Sequence, residues 1–180
     1  MKKLLIVTLI LLSGYACQKK DDQKPQYQFP AGGGPVQGGS VQGQDEIKML
    51  RELLAKDPRN LDALINLGNK TMDNRSFNEA IEAYQKALEI DPKNVDVRVD
   101  LGTCYKNIGK PDIAVKEYRK ALELNPNHLY AHKNLAIVLA YDLKDTAQAI
   151  RELEKVLQIA PGAPDAEQVR QEIQKMKSVK

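Results

Sequence analysis

Few residues in this sequence have the types and spacing to do chemistry, and the first pair is His128 and His132. Four residues apart, they could share one face of a helix, as metal ligands do. A zinc site needs further ligands, but there is no His-Glu-x-x-His pattern, no cysteine cluster lies nearby, and His128 falls in a turn. A metal-dependent hydrolase using His128 and His132 is therefore the remote reading; no enzyme, metal or cofactor is expected. No glycine-rich phosphate loop follows a strand, since no stretch reads as a strand, and no Cys-x-x-Cys-His is present to attach a haem. Of the two cysteines, Cys17 and Cys104, the second reads as a lone buried thiol. A different chemistry is offered by Asn66, Asp100 and Asn134, which recur at intervals of 34 residues. A side-chain amide donates to a peptide carbonyl and accepts from a peptide N–H, so a column of amides can hold an extended chain whatever its side chains. An ionised carboxylate at Asp100 would only accept.

Such a column has to be positioned by elements that repeat. Three stretches run in parallel, Ala80 to Leu88, Ala114 to Leu122 and Ala149 to Leu157, and each is followed at the same offset by a proline, Pro92, Pro126 or Pro161. A period of this length marks an array of supersecondary units, each too thin to bury its apolar face without a neighbour. The units span residues 61–94, 95–128 and 129–163, each two antiparallel helices with turns near Asn74-Arg75, Gly109-Lys110 and Asp142 to Asp145. The third carries one extra residue, placed in its Asp142 to Ala147 turn. Upstream, residues 45–60 hold a single helix with Ile47, Leu50 and Leu54 at helical spacing, ended by Asp57-Pro58; it aligns with the second helix of a unit whose first is missing. Any uncovered part of its Met49 and Leu53 side would be an exposed apolar strip. Residues 164–180 form a closing helix in which Ala166, Val169, Ile173 and Met176 make one apolar stripe backed by polar residues, as the end of a solenoid requires.

The beginning of the chain is of another kind. Met1-Lys2-Lys3 and the apolar run Leu4 to Leu12 read as a signal peptide over residues 1–16, too short to span a bilayer. Gly14-Tyr15-Ala16-Cys17 resembles the cleavage site of bacterial lipoproteins, with Gly14 where leucine is usual and Tyr15 bulky for its place. The resemblance implies acylation of Cys17, a membrane tether outside the cytoplasm, and, with Gln18 next, sorting to the periplasmic face of the outer membrane in a two-membrane cell. Residues 17–44 are rich in Gln, Lys, Pro and Gly and read as a flexible linker with a reach of roughly 30 Å. The formal net charge is +3, which falls to +1 once Lys2 and Lys3 leave with the signal, and acids and bases interleave. That is not the footprint of a nucleic-acid-binding protein.

Within the array, the residues resemble the tetratricopeptide repeat family. The second unit carries its pattern throughout, in Leu101, Gly102, Tyr105, Ala114, Tyr118, Ala121 and Pro126. The first has Leu67, Gly68, Ala80, Tyr84, Ala87 and Pro92, with Thr71 for an aromatic and Arg75 for a turn glycine; the third has Leu135, Ala136, Leu139, Ala149, Leu153, Val156 and Pro161. The resemblance implies an all-α fold: an α-solenoid of antiparallel helix pairs, wound as a right-handed superhelix, with an N-terminal half repeat and a C-terminal capping helix. Small residues at Gly68, Gly102 and Ala136 would let paired backbones approach, with Tyr84 and Tyr118 filling the space between repeats.

The first helices of such repeats line a concave groove. Carried over, the candidate groove residues are Asn66, Asn69, Asp100, Thr103, Lys106, Tyr130, Lys133, Asn134 and Tyr141, and the same register includes Asp62, Ile65, Met72, Asp73, Asp96, Val99, Asn107, Ile137 and Ala140. Certain members of the family hold peptides on an asparagine ladder, and the Asn66, Asp100, Asn134 column is similar to it. A second known mode, a clamp of basic residues for chaperone C-termini, finds only Lys106 and Lys133 here. The function these readings imply is a non-enzymatic scaffold or adaptor, tethered to an envelope membrane and holding a peptide or helix of a partner protein in the groove. The alternative is similar to the repeat modules of cytochrome c maturation, which present apoprotein segments.

Overall fold

A computed structural model describes residues 41–178. The stretches expected to be a signal peptide and a linker, Cys17 included, lie outside the described residues up to residue 40. Among the described residues eight α-helices occur: α1 (Val41–Lys56), α2 (Leu61–Asp73), α3 (Phe77–Ile90), α4 (Val95–Asn107), α5 (Pro111–Leu124), α6 (Leu129–Ile137), α7 (Thr146–Ile159) and α8 (Ala166–Ser178), and no strand. Each helix packs on its sequence neighbours, so the pairs α2–α3, α4–α5 and α6–α7 stack into an all-α solenoid, with α1 before the first pair and α8 after the last. Helix α1 begins at Val41, four residues earlier than the expected start at Asp45, so the end of the expected linker is helical. Gly43 is the only helix-weakening residue there, at about 1 kcal/mol relative to alanine, and a helix already formed downstream extends across it. Among the described residues, no helix is long and apolar enough to cross a membrane.

The period sets the start of every first helix in the same way. Asn60, Asn94 and His128 precede α2, α4 and α6, and their side chains accept from the backbone N–H of Ala63, Val97 and Ala131 at 3.0, 3.1 and 3.1 Å. Each cap satisfies one of the helix's orphan donors and is worth about 1 kcal/mol. Turns within the pairs are equally alike. Arg75, Gly109 and Lys144 all sit in the left-handed region, at φ of 62°, 74° and 60°. Only the second unit supplies the glycine that suits this conformation, so Arg75 and Lys144 hold it at a steric cost of about 1–2 kcal/mol each.

The extra residue of the third unit lies earlier than expected. It is taken up in a π turn, Val138–Asp142, that continues α6, with Leu143 N–H donating to Val138 C=O at 3.0 Å. A single inserted residue fits within a helix as one i→i+5 turn without displacing the next helix. Asp145 can therefore still cap α7, accepting from Gln148 N–H at 2.9 Å.

Inside the pairs, small residues do more than bring backbones together. A Cβ added to Gly68 would lie 2.3 Å from Cε1 of Tyr84, and one added to Gly102 would lie 2.7 Å from Cε1 of Tyr118. The glycines make room for the tyrosine rings of their own repeats, and both rings are fully buried. In the third pair Ala136 and Leu153 share one core cluster, so a residue with a Cβ accompanies a narrower partner. Thr71 stands in the aromatic position of the first repeat, completely buried, its hydroxyl donating to Leu67 C=O at 2.6 Å.

Both ends are closed unequally. Val169 and Ile173 of α8 are buried against Leu153 and Val156 of α7, and Ala166 is buried as well. At the other end Ile47 is covered, but Met49 and Leu53 of α1 remain 68% and 43% exposed.

Candidate functional site

The nine groove residues all fall on α2, α4 and α6 with its π turn, the first helices of the three pairs. They differ in how free they are. Asn66 is exposed, and Asp100 and Lys106 are half-buried. Asn69 Oδ1 accepts from the Tyr84 hydroxyl at 2.7 Å. Thr103 donates to Val99 C=O at 3.1 Å and lies 3.1 Å from the Tyr118 hydroxyl, while Asn134 Nδ2 donates to Thr103 Oγ1 at 3.3 Å. Asn69 and Thr103 thus anchor the buried tyrosines, which would otherwise hold an unsatisfied hydroxyl in the core. Tyr130 is 42% exposed.

Lys133 and Tyr141, placed in the groove by the family register, are turned toward the capping helix. Lys133 is 5% exposed; its Nζ lies 2.5 Å from Asp165 Oδ2 and 5.8 Å from the centre of the Tyr130 ring. Tyr141 donates its hydroxyl to Glu172. Asp165 and Glu172 come from the segment after the last full repeat, and nothing in the 34-residue period pointed to them.

Those bonds belong to a seam that stitches successive first helices together. His128 Nε2 meets Asp96 Oδ1 at 2.9 Å, Asn134 meets Thr103, Lys133 meets Asp165, and Tyr141 meets Glu172. Each pair is separated by 31 or 32 residues. By the same register Asp100 should reach Asn69, yet among the described residues Asp100 takes part in no hydrogen bond or ion pair. Its carboxyl is pushed up to about 6, first by burial and then by the nearby charges of Asp96 and Asp73, with His128 acting the other way. Around neutrality the middle member of the column is therefore an unpartnered carboxylate close to its titration.

The two histidines do structural work. His128 caps α6 through Nδ1 and holds Asp96 through Nε2. His132 is buried, with Nδ1 2.6 Å from Glu152 Oε2 and Nε2 2.9 Å from Pro126 C=O. Both of its partners are acceptors, so the two bonds are made together only when both ring nitrogens carry a proton. Its pKa is raised above the usual 6.5, chiefly by the hydrogen bond to Glu152. Among the described residues no three His, Cys, Asp or Glu side chains are grouped to hold a metal ion. A raised histidine pKa means that stability is fully present below the unfolded value near 6.5 and is lost as pH rises through the folded value. His132→Gln should abolish that decline, measured as the thermal midpoint from pH 6 to 9. Cys104 is buried and its thiol is pushed up to about 12, by burial and then by Asp100, so it stays protonated and inert.

A cavity of about 250 Å³ lies away from the groove, lined by Arg51, Leu54, Leu64, Glu79 and Lys86 where α1 to α3 meet. Two of its lining residues form an ion pair, the Arg51 guanidinium donating to both Glu79 carboxylate oxygens at 2.8 Å.

Comparison with known proteins agrees with the geometry. No curated protein matches the sequence significantly. Among solved structures, the crystal structure of MamA superposes with a TM-score of 0.67 at 27% identity, over 74% of this chain and 77% of that one. The first TPR of Spaghetti (RPAP3), bound to the HSP90 peptide SRMEEVD, superposes with a TM-score of 0.60 at 23% identity, over 66% of this chain and 93% of the other. At that identity the second likeness is one of fold. Residues 44–167 match the cytochrome c-type biogenesis protein H TPR domain, and with more than half of its length in that match the chain belongs to this family of tetratricopeptide repeat proteins.

Proposed function

We propose that the protein is an interaction module that holds an extended segment of a partner protein along α2, α4 and α6. Supporting this reading is one observation above the rest: Asn66, Asp100 and Asn134 stand at one register on three stacked helices, with Asn66 exposed and Asn134 spending one amide N–H on Thr103. Backbone recognition by amides gives affinity with little demand on sequence. The experiment is fluorescence anisotropy with dye-labelled extended peptides. A variant carrying both Asn66→Ala and Asn134→Ala should bind at least ~10-fold more weakly, the loss expected of two hydrogen-bonding hot spots. Unchanged affinity removes the amides from the site.

Family membership favours apocytochrome segments, rather than another partner in the envelope, as what the groove presents. The proposal includes tethering through an acylated Cys17 to an extracytoplasmic membrane, at the periplasmic face of the outer membrane in a two-membrane cell. Detergent phase partitioning tests the tether: the full chain should enter the detergent phase and Cys17→Ser should remain aqueous. Pull-down from solubilised envelope with the tethered chain separates the two partner classes.

A further inference from the structure

We infer that the groove selects a partner segment bearing a basic side chain, a lysine or arginine whose charge sits at Asp100 between the amides of Asn66 and Asn134. This rests on the groove reading above and adds the charge of the occupant to it. Overall the sequence has 27 basic and 24 acidic residues, close to balance. Its groove is not balanced. Asp62, Asp73, Asp96 and Asp100 stand along the first two repeats, and of the two lysines assigned to the groove Lys133 is buried in its pair with Asp165, leaving Lys106.

Asp100 is the singular member of this group. The junctions between later first helices are each closed by a side-chain bond, through Asp96–His128 and Thr103–Asn134, then through Lys133–Asp165 and Tyr141–Glu172. At the α2–α4 junction, among the described residues, no such bond is made. The groups around Asp100 are Asp96 and Cys104 on its own helix, Asp73 from α2, Tyr84 from α3, Tyr118 from α5 and His128 ahead of α6. His128 is already spent on the α6 cap and on Asp96, and no lysine or arginine is in the set. A half-buried carboxylate facing two others is stabilised in its ionised form by an arriving cation, and the neighbouring amides can hold the main chain on either side. The HSP90 peptide carried by the structurally similar RPAP3 repeat, SRMEEVD, has three acidic residues; this groove bears charge of the same sign and would repel such a peptide.

A cation held by Asp100 also has a pH signature. With its carboxyl at about 6, Asp100 is ionised above that value and neutral below it, so a basic segment should bind more tightly as pH rises from 5 to 7.

The test uses the full chain in detergent and three dye-labelled alanine–serine peptides that differ only at one central residue: lysine, glutamine or glutamate. The lysine peptide should bind about ten-fold more tightly than the glutamine peptide, with the glutamate peptide weakest. That preference should shrink at high salt, fade below pH 6, and vanish in Asp100→Asn with its helicity unchanged by circular dichroism. Equal binding of lysine and glutamine peptides, with both weakened in the Asn66→Ala, Asn134→Ala variant, overturns the charge preference and leaves the groove standing. A lysine preference that survives in the double asparagine variant but disappears in Asp100→Asn removes the amide ladder and keeps the charge site. Binding of none of the peptides, or a preference for glutamate, overturns the inference, and the former also counts against the groove.

Discussion

Gly68→Ala should lower the stability of the array by about 1–2 kcal/mol, although alanine is the better helix former. In an exposed helix the exchange would gain about 1 kcal/mol. Here the new Cβ would meet the Tyr84 ring at 2.3 Å. The ring has nowhere to go, being fully buried and fixed at its far end by the bond to Asn69. Overpacking a dense core costs about 1–3 kcal/mol, and an immovable ring puts the cost at the upper end. Tyr84→Leu alone should lose about 2–3 kcal/mol by leaving a cavity and an unpaired Asn69. Combined, the two changes should lose less than their sum, because together they recreate the Ala136 and Leu153 arrangement that the third repeat already uses. Thermal melts of the four proteins make the cycle, with roughly 2–4 °C expected per kcal/mol at this size. Gly102→Ala, where the approach is 2.7 Å, should lose less than Gly68→Ala. Strict additivity, or a Gly68→Ala protein more stable than the parent, would show that the ring and the glycine are not matched.

Asp100→Asn should raise stability at neutral pH, by about 1–2 kcal/mol after allowing for its partial exposure. Asp100 has a folded pKa near 6, above the ordinary aspartate value of 3.8. Between those two values the folded chain holds a proton that the unfolded chain releases, so stability falls as pH rises through this window and stays reduced above it. Asparagine keeps the shape, carries no charge and can bond to Asn69, so its melting temperature should be nearly flat from pH 4 to 6 where the parent declines. His132 also makes stability fall with rising pH, but above 6.5, so the two contributions separate along the pH axis. A parent protein whose stability is level from pH 4 to 6 would mean that Asp100 is solvated as an ordinary surface carboxylate. If the groove selects a cation, this variant trades binding for stability, the usual relation at a site kept unpaired for its ligand.

Much of the architecture was legible because a solenoid is nearly one-dimensional. Each unit contacts only its neighbours, so the recurrence of Leu67, Leu101 and Leu135, or of Ala80, Ala114 and Ala149, carries the helix pairing with it. Boundaries were less legible where local terms nearly balance. Val41 to Gln44 resembles the Gly- and Gln-rich stretch before it, and its helix is an extension from α1. The placement of the extra residue in the third repeat was off for a similar reason, since a polar turn and a π turn can both absorb one residue and only packing against α7 chooses between them. In the groove, the register located the right helices but could not say which side chains were free. Asn69, Thr103, Lys133 and Tyr141 are all held by partners 15 to 32 residues away. His128 and His132 have the spacing of a helix-face pair, but His128 lies in the turn and occupies the cap position shared with Asn60 and Asn94, a signal that the 34-residue alignment does contain.

The sequence by itself determined the repeat, its helix pairs, the caps and the residue types that let them stack, because those depend on contacts that recur at a constant separation. Tertiary structure alone decided that the glycines house tyrosine rings, that the cap recruits Lys133 and Tyr141, and that Asp100 is left without a partner beside two other acids. Those outcomes depend on which neighbouring helix supplies a bonding partner at one particular junction, and a period describes only what every junction has in common.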